Sequence, residues 1–298
     1  MERITFYSYK GGAGRSSTAL NTLPYLVEAL EANEKSPILV LDMDLDSAGM
    51  TYLFELDTHF QDRNQNKTVY DIKDFLRGAQ VWPDIVAPVL EEHELYKKFV
   101  PVGEKLGVEN KAVLFLGVDD RDRIDNNEMD GPNEERLGNL CTFCKKNNFS
   151  AVVIDSSAGE QFSAILSMKV ATTVVQCMRV TWQFRIGTFN YLERLKEKNT
   201  DKEIILLPTV VPNDREIDGI LQLQSTIDDV IERINVFQLE NINTDFIRIE
   251  QFGINEVERF KWKEEVLYKI AKEHALEEDE DKATKRYLKL AQLIASGE

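Results

Sequence analysis

Residues 6–18, Phe6-Tyr7-Ser8-Tyr9-Lys10-Gly11-Gly12-Ala13-Gly14-Arg15-Ser16-Ser17-Thr18, constrain the fold more than any other stretch. The apolar start Ile4-Thr5-Phe6-Tyr7 reads as a buried strand. Downstream, Ala19, Leu20, Leu23, Leu26, Val27 and Leu30 recur with a helical period, predicting a helix over about 16–32. Three glycines within residues 11–14 let the backbone curl so that successive N–H groups point into one concavity. That nest and the helix N-terminus behind it attract a multiply charged anion. Lys10, Arg15 and Ser16 supply two cations and a hydroxyl beside it. A glycine turn without a ligand is the alternative.

Two further strand ends carry acids. Ile38-Leu39-Val40-Leu41 reads as a strand buried on both faces and ends in Asp42-Met43-Asp44-Leu45-Asp46. Ala151-Val152-Val153-Ile154 ends in Asp155-Ser156-Ser157-Ala158-Gly159. In open α/β sheets, ligands sit outside the carboxyl ends of the strands. Acids placed there can hold Mg²⁺ or orient an attacking water. N-caps and solvated loop acids are the alternative for 42–46.

The stretch at 10–16 departs from the G-x-x-x-x-G-K-[ST] pattern, with Tyr9 in place of the first glycine and Arg15 in place of the lysine. It resembles the deviant Walker A loop, K-G-G-x-G-K-[ST], of the ParA/MinD family of ATPases, and is closest to that family's K-G-G-V-G-R variant branch. Residues 151–159 resemble its Walker B strand followed by D-[ST]-x-x-G, with Ala158 where proline is common. Residues 38–44 resemble its second acidic motif. The order and spacing of motifs match over nearly the whole chain; only 10–17 and 151–159 are specific.

The resemblance implies ATP/ADP and Mg²⁺ as ligands. Backbone N–H groups of Gly11, Gly12, Ala13, Gly14, Arg15, Ser16 and Ser17 would cradle the phosphates. Arg15 would contact their outer oxygens, and Ser16, Asp42 and Asp155 would serve the metal. Asp44 would orient the attacking water, and Lys10 would reach the partner's phosphates across a nucleotide-dependent homodimer. Ile204-Ile205-Leu206-Leu207 with the loop after it resembles the base-contacting segment, placing Pro212 and Asn213 near adenine. Arginine is a forked, planar ion, so its place at 15 leaves a non-hydrolysing nucleotide-dependent scaffold as a second reading.

Other strands are expected at 112–117, 170–178 and 245–249, and an edge strand at 97–102. Helices are expected at 69–76, 81–96, 134–147, 182–198, 217–234 and about 282–295, with loops at 57–67 and 119–128. Buried strands alternating with amphipathic helices predict one doubly wound α/β domain over 1–298, with a mostly parallel sheet and the helices from about 255 packed on it. The net charge of −16 disfavours direct DNA binding and leaves a protein partner as the expectation. No apolar run approaches the roughly 18 residues of a membrane span, the first residues lead straight into a strand, and there are three cysteines; a cytoplasmic protein is expected. The basic, amphipathic last helix could lie on a membrane or pack on the sheet. Cys141 and Cys144, one helical turn apart, could share a metal in a dimer or simply pack.

Overall fold

The computed structural model describes residues 1–57, 59, 70–78, 92–119, 132–197, 202–213, 217–237, 242–248 and 251–296. Strands β1 (Glu2–Tyr7), β2 (Ile38–Met43), β3 (Val100–Pro101), β4 (Val113–Leu116), β5 (Ala151–Ser156), β6 (Thr173–Met178), β7 (Glu203–Pro208) and β8 (Ile242–Asn243) form one sheet in the order β3-β4-β2-β5-β1-β6-β7-β8. All pairs are parallel except β3 with β4. Pro101 lies in that antiparallel strand, at the sheet edge where a residue without an N–H is tolerated.

The helices are α1 (Arg15–Ala29), α2 (Gly49–Leu53), α3 (Ile72–Arg77), α4 (Gly103–Leu106), α5 (Pro132–Lys146), α6 (Phe162–Val170), α7 (Trp182–Glu197), α8 (Ile217–Phe237), α9 (Leu267–Glu273) and α10 (Glu278–Ser296). Strand residues alternate between two cores. Ile4, Phe6, Ile38 and Val40 pack with Leu20, Leu23 and Leu26 of α1 and with Tyr287, Leu290 and Ile294 of α10. Leu39, Leu41, Val152 and Ile154 pack on the opposite face with Leu137, Leu140, Cys141 and Cys144 of α5. The apolar stripe of α10 is therefore spent on α1. No helix among the described residues is long and apolar enough to cross a membrane.

Several elements differ from expectation for identifiable reasons. Helix α10 begins at Glu278, inside the acidic run, because four acids in its first turn complement the positive end of the helix dipole. Helix α6 was not anticipated: Ala164, Leu166 and Val170 alternate with small buried serines, leaving little contrast between its faces. Strand β6 accordingly starts at Thr173 and not at 170. The strand expected at 245–249 is instead a single 3₁₀ turn, Asp245–Ile247, preceded by β8. The 57–67 and 119–128 loops and the helix at 81–96 lie mainly outside the described residues. Cys144 is fully buried, and burial pushes its thiol well up and that of Cys141 to about 11. Metal ligation needs the thiolate, so this surrounding favours packing.

Candidate nucleotide site

The site forms at the carboxyl ends of the central strands. Phe6 of β1 pairs with Asp155 of β5, and Asp155 pairs with Asp42 of β2, so register alone brings the glycine-rich loop and both acidic motifs together. Gly14 takes the left-handed conformation (φ 67°) that turns the loop into α1. Gly12, at φ 78°, completes the curl. No side chain caps α1 and no acid occupies its first turn, so its N–H groups remain available to an anion. They face a cavity of about 360 Å³ lined by Gly11, Arg15, Ser16, Asp44, Gly49 and Gln161, among others.

The loop is braced from two sides. The N–H of Gly159 donates to the Ser8 carbonyl at 2.9 Å, and the Tyr7 hydroxyl donates to the Gly159 carbonyl at 3.0 Å. Just past the end of β7, the Thr209 hydroxyl donates to the Ala13 carbonyl at 2.5 Å. Tyr9 leans on α7 at Gly187, where a Cβ would come within 1.9 Å of its ring. Gly187 thus makes room for the aromatic residue that replaces the usual glycine.

Arg15 is the electrostatic centre. Its Nε donates to Asp155 Oδ1 at 2.9 Å and its Nη2 to Asp44 Oδ2 at 2.8 Å, with its side chain 8% exposed. Burial opposes its charge, but Asp155 and Asp44 outweigh burial and hold the guanidinium protonated. The Ser16 hydroxyl donates to the other oxygen of Asp155 at 2.6 Å. Burial raises the Asp44 carboxyl, and Arg15 opposes that shift. Lys10 is exposed, with Nζ 3.3 Å from Gln183 Oε1 on α7.

Asp42 has a different setting. It is fully buried, its Oδ2 accepts the N–H and hydroxyl of Thr51, both at 2.8 Å, and its Oδ1 accepts the Asp44 N–H at 3.1 Å. It positions Asp44 and α2 and does not line the cavity. Burial and then the charge of Asp155 push its carboxyl from 3.8 to about 7. A carboxyl raised in the fold stabilises it fully below about pH 4, and that contribution is lost as pH rises through 7. Wild-type stability relative to Asp42→Asn is therefore expected to fall between about pH 4 and 7. Denaturant unfolding of both chains across that range checks this; a constant difference overturns it.

Pro212 and Asn213 line neither this cavity nor its neighbour. Both are exposed, and the Asn213 amide donates to the Glu256 carbonyl at 2.6 Å. The neighbouring cavity, about 300 Å³, is instead lined by Arg179, Thr209, Val210, Ile254, Phe260 and Tyr287, among others. Val210 is held at φ 52°, a strained conformation for a β-branched residue that sits at this cavity wall. Sequence reasoning also missed Gly49. A Cβ there would lie 3.1 Å from Ser16 Oγ and 3.9 Å from Asp155 Oδ2, so its missing side chain keeps open a space edged by a hydroxyl and a carboxylate. That donor set and that space suit a hard cation such as Mg²⁺. The legible signal was a glycine five residues past Asp44, at the start of a helix.

No family model and no curated protein matches the chain. Solved structures do. A chain of the MinC:MinD cell division protein complex of Aquifex aeolicus is 14% identical with a TM-score of 0.62, over 100% of this chain and 97% of that one. An ATP complex of a McdA variant from Cyanothece is 14% identical with a TM-score of 0.59, over 98% and 96%. The Mg-ADP complex of the septum site-determining protein MinD from Pyrococcus horikoshii is 17% identical with a TM-score of 0.53, over 97% and 93%. The likeness runs through the whole eight-stranded, mostly parallel sheet and its helices. This chain therefore has the P-loop NTPase fold of the ParA/MinD type.

Proposed function

We propose that this chain binds ATP with Mg²⁺, hydrolyses it slowly, and uses nucleotide state to control a homodimer that positions or regulates a protein partner. The observation that carries this is a single cavity faced by the uncapped α1 N-terminus, Arg15, Ser16 and Asp44. The McdA and MinD structures of the same fold in complex with ATP and Mg-ADP support that choice of ligand.

The chain's residues divide the work. Backbone N–H groups from Gly11 to Ser17 hold the phosphates, as a nest and helix terminus do for anions. Ser16 and Asp155 would hold Mg²⁺, with the space left by Gly49 beside them. When bound, the metal neutralises charge that builds on the transferring phosphoryl group. Asp44 orients the attacking water, and Asp42 fixes Asp44 through its N–H. Lys10 is exposed at the loop and free to move from Gln183 to a neighbouring subunit's phosphates. A cation delivered only across the interface makes turnover depend on the dimer.

Two substitutions separate these roles. Lys10→Ala is expected to keep ATP binding and reduce turnover at least about a hundredfold, in line with loss of a transition-state charge contact. Full turnover in that variant removes the trans-lysine role. Asp155→Ala is expected to weaken Mg²⁺-dependent ATP binding while leaving the weaker, metal-free binding. Titrations with and without Mg²⁺ read this, and an unchanged magnesium effect excludes Asp155 from the metal.

A second reading is a nucleotide-dependent scaffold that hydrolyses poorly. The double ion pair of Arg15 favours it, because both acids that serve hydrolysis are already held by the residue that should contact phosphate. ATPase turnover per chain over a range of protein concentrations, with light scattering on the same samples, decides. Turnover rising with ATP-dependent dimers supports the switch. Dimers with bound ATP and no turnover support the scaffold. No nucleotide binding overturns both.

A further inference from the structure

The two cavities at the glycine-rich loop share one wall. Gly12, Gly14, Ser17 and Glu264 line both. Two of these are glycines, so the side chains at the junction are a hydroxyl and a carboxylate. They are hydrogen-bonded to each other, Ser17 Oγ donating to Glu264 Oε1.

Glu264 is held there by an anchored segment. The Asn21 amide on α1 donates to the Glu265 carbonyl at 3.2 Å, and its oxygen accepts the Leu267 N–H at 2.8 Å, with Leu267 fully buried. The adjacent Glu265 pairs with Arg259 at 3.1 Å and Lys263 at 3.3 Å. Among the described residues, Glu264 has no such cation. An unneutralised carboxylate beside a phosphate chamber repels an anionic ligand unless it accepts a hydrogen bond from that ligand.

A nucleotide with its phosphates on the α1 N-terminus and its base in the neighbouring cavity must pass its sugar through this junction. Phosphates only accept hydrogen bonds, and the donors of a base lie beyond the sugar. The donors a nucleotide can offer at the junction are the sugar hydroxyls. Resting on the nucleotide-binding reading above, we propose that Glu264 is a specificity residue that selects ribonucleotides by accepting the ribose hydroxyls. Glu264 has two oxygens, so Oε1 keeps Ser17 while Oε2 takes the sugar. The contact ties the segment around 264 to the phosphate loop through the ligand.

The test is a binding titration of the full chain with ATP and with 2′,3′-dideoxy-ATP, both with Mg²⁺. A hydrogen bond to a charged group corresponds to a preference for ATP of about tenfold or more in dissociation constant. Glu264→Ala is expected to bring that ratio close to one while binding dideoxy-ATP no worse than wild type. Glu264→Gln, which keeps one acceptor, is expected to fall between. Glu264 is exposed, and an unchanged melting temperature in both variants shows that the fold is intact. Equal affinity of the wild type for both nucleotides, or an unchanged ratio in Glu264→Ala, overturns the ribose assignment and leaves the nucleotide reading standing. Binding of neither nucleotide overturns the nucleotide reading, and the ribose assignment falls with it.

Discussion

Arg15→Met is expected to lower the melting temperature by about 10 °C, through the loss of about 3–5 kcal/mol when one partner of a buried ion pair is removed. The guanidinium is the cation that Asp155 and Asp44 share, and Asp155 has no exposure to water. Without it, two carboxylates and the buried Asp42 behind them face one another in low dielectric. Protonation would relieve part of this, so the loss should be largest above pH 7 and smaller near pH 5. Arg15→Lys should recover only part of the stability, because an ammonium is a point charge and does not span two carboxylates as a fork does. Thermal melts of the three chains at pH 5 and 8 test this. An Arg15→Met chain that melts within a degree or two of wild type would show that the acids do not depend on the guanidinium.

Gly253→Ala is the second large effect, at about 2–5 kcal/mol, from a strained backbone conformation combined with overpacking. Gly253 sits at φ 66°, and a Cβ there would lie 2.1 Å from the Pro208 carbonyl oxygen. That carbonyl also accepts the Ile254 N–H at 2.8 Å, and the Gly253 N–H donates to Phe246 at 2.7 Å. The clash is with backbone and cannot be relieved by turning a side chain. Relaxation would move Ile254, Asn255 and Glu256, which wall the second cavity. Gly253→Ala should therefore lose nucleotide affinity as well as stability. Gly11→Ala is the control: a Cβ at Gly11 meets nothing within 4 Å. Equal melting of the two variants would remove the role given to the close approach at Gly253.

The parts of this site that the sequence announces are local in the chain. A strand, a glycine-rich turn and a helix occupy residues 2–29 without interruption, and Asp42, Asp44 and Asp155 each end an apolar run. The fold class follows from the same alternation. What sequence reading does not give is the far side of the site. Glu264 and Ser17 are 247 residues apart, and no period or motif marks Glu264 among its charged neighbours. Pro212 and Asn213 stand beyond the strand end, where the chain has already turned toward Glu256. The position of Arg15 was legible, but its engagement with two acids at once was not, because it depends on the register of β1, β5 and β2. Helix α6 was hidden because buried serines and apolar residues interleave along it and leave little contrast between its faces.

The covering of α1 by α10, and the tie between Asn21 and Glu265 across 244 residues, fix an order of events during synthesis. A ribosome delivers the glycine-rich loop long before Glu264, which completes the wall of its cavity 247 residues after Ser17. Until α10 has emerged, Leu20, Leu23 and Leu26 have no cover on that side, and the growing chain exposes an apolar helix face. Contacts this distant close slowly, because the intervening chain must be ordered before they can form. The nascent phosphate loop thus lacks its second chamber until translation has passed Tyr287. Engagement of a whole nucleotide would then mark a chain in which α10 has docked on α1, and a truncation before that point would leave both the apolar face of α1 and the half-built cavity open to water.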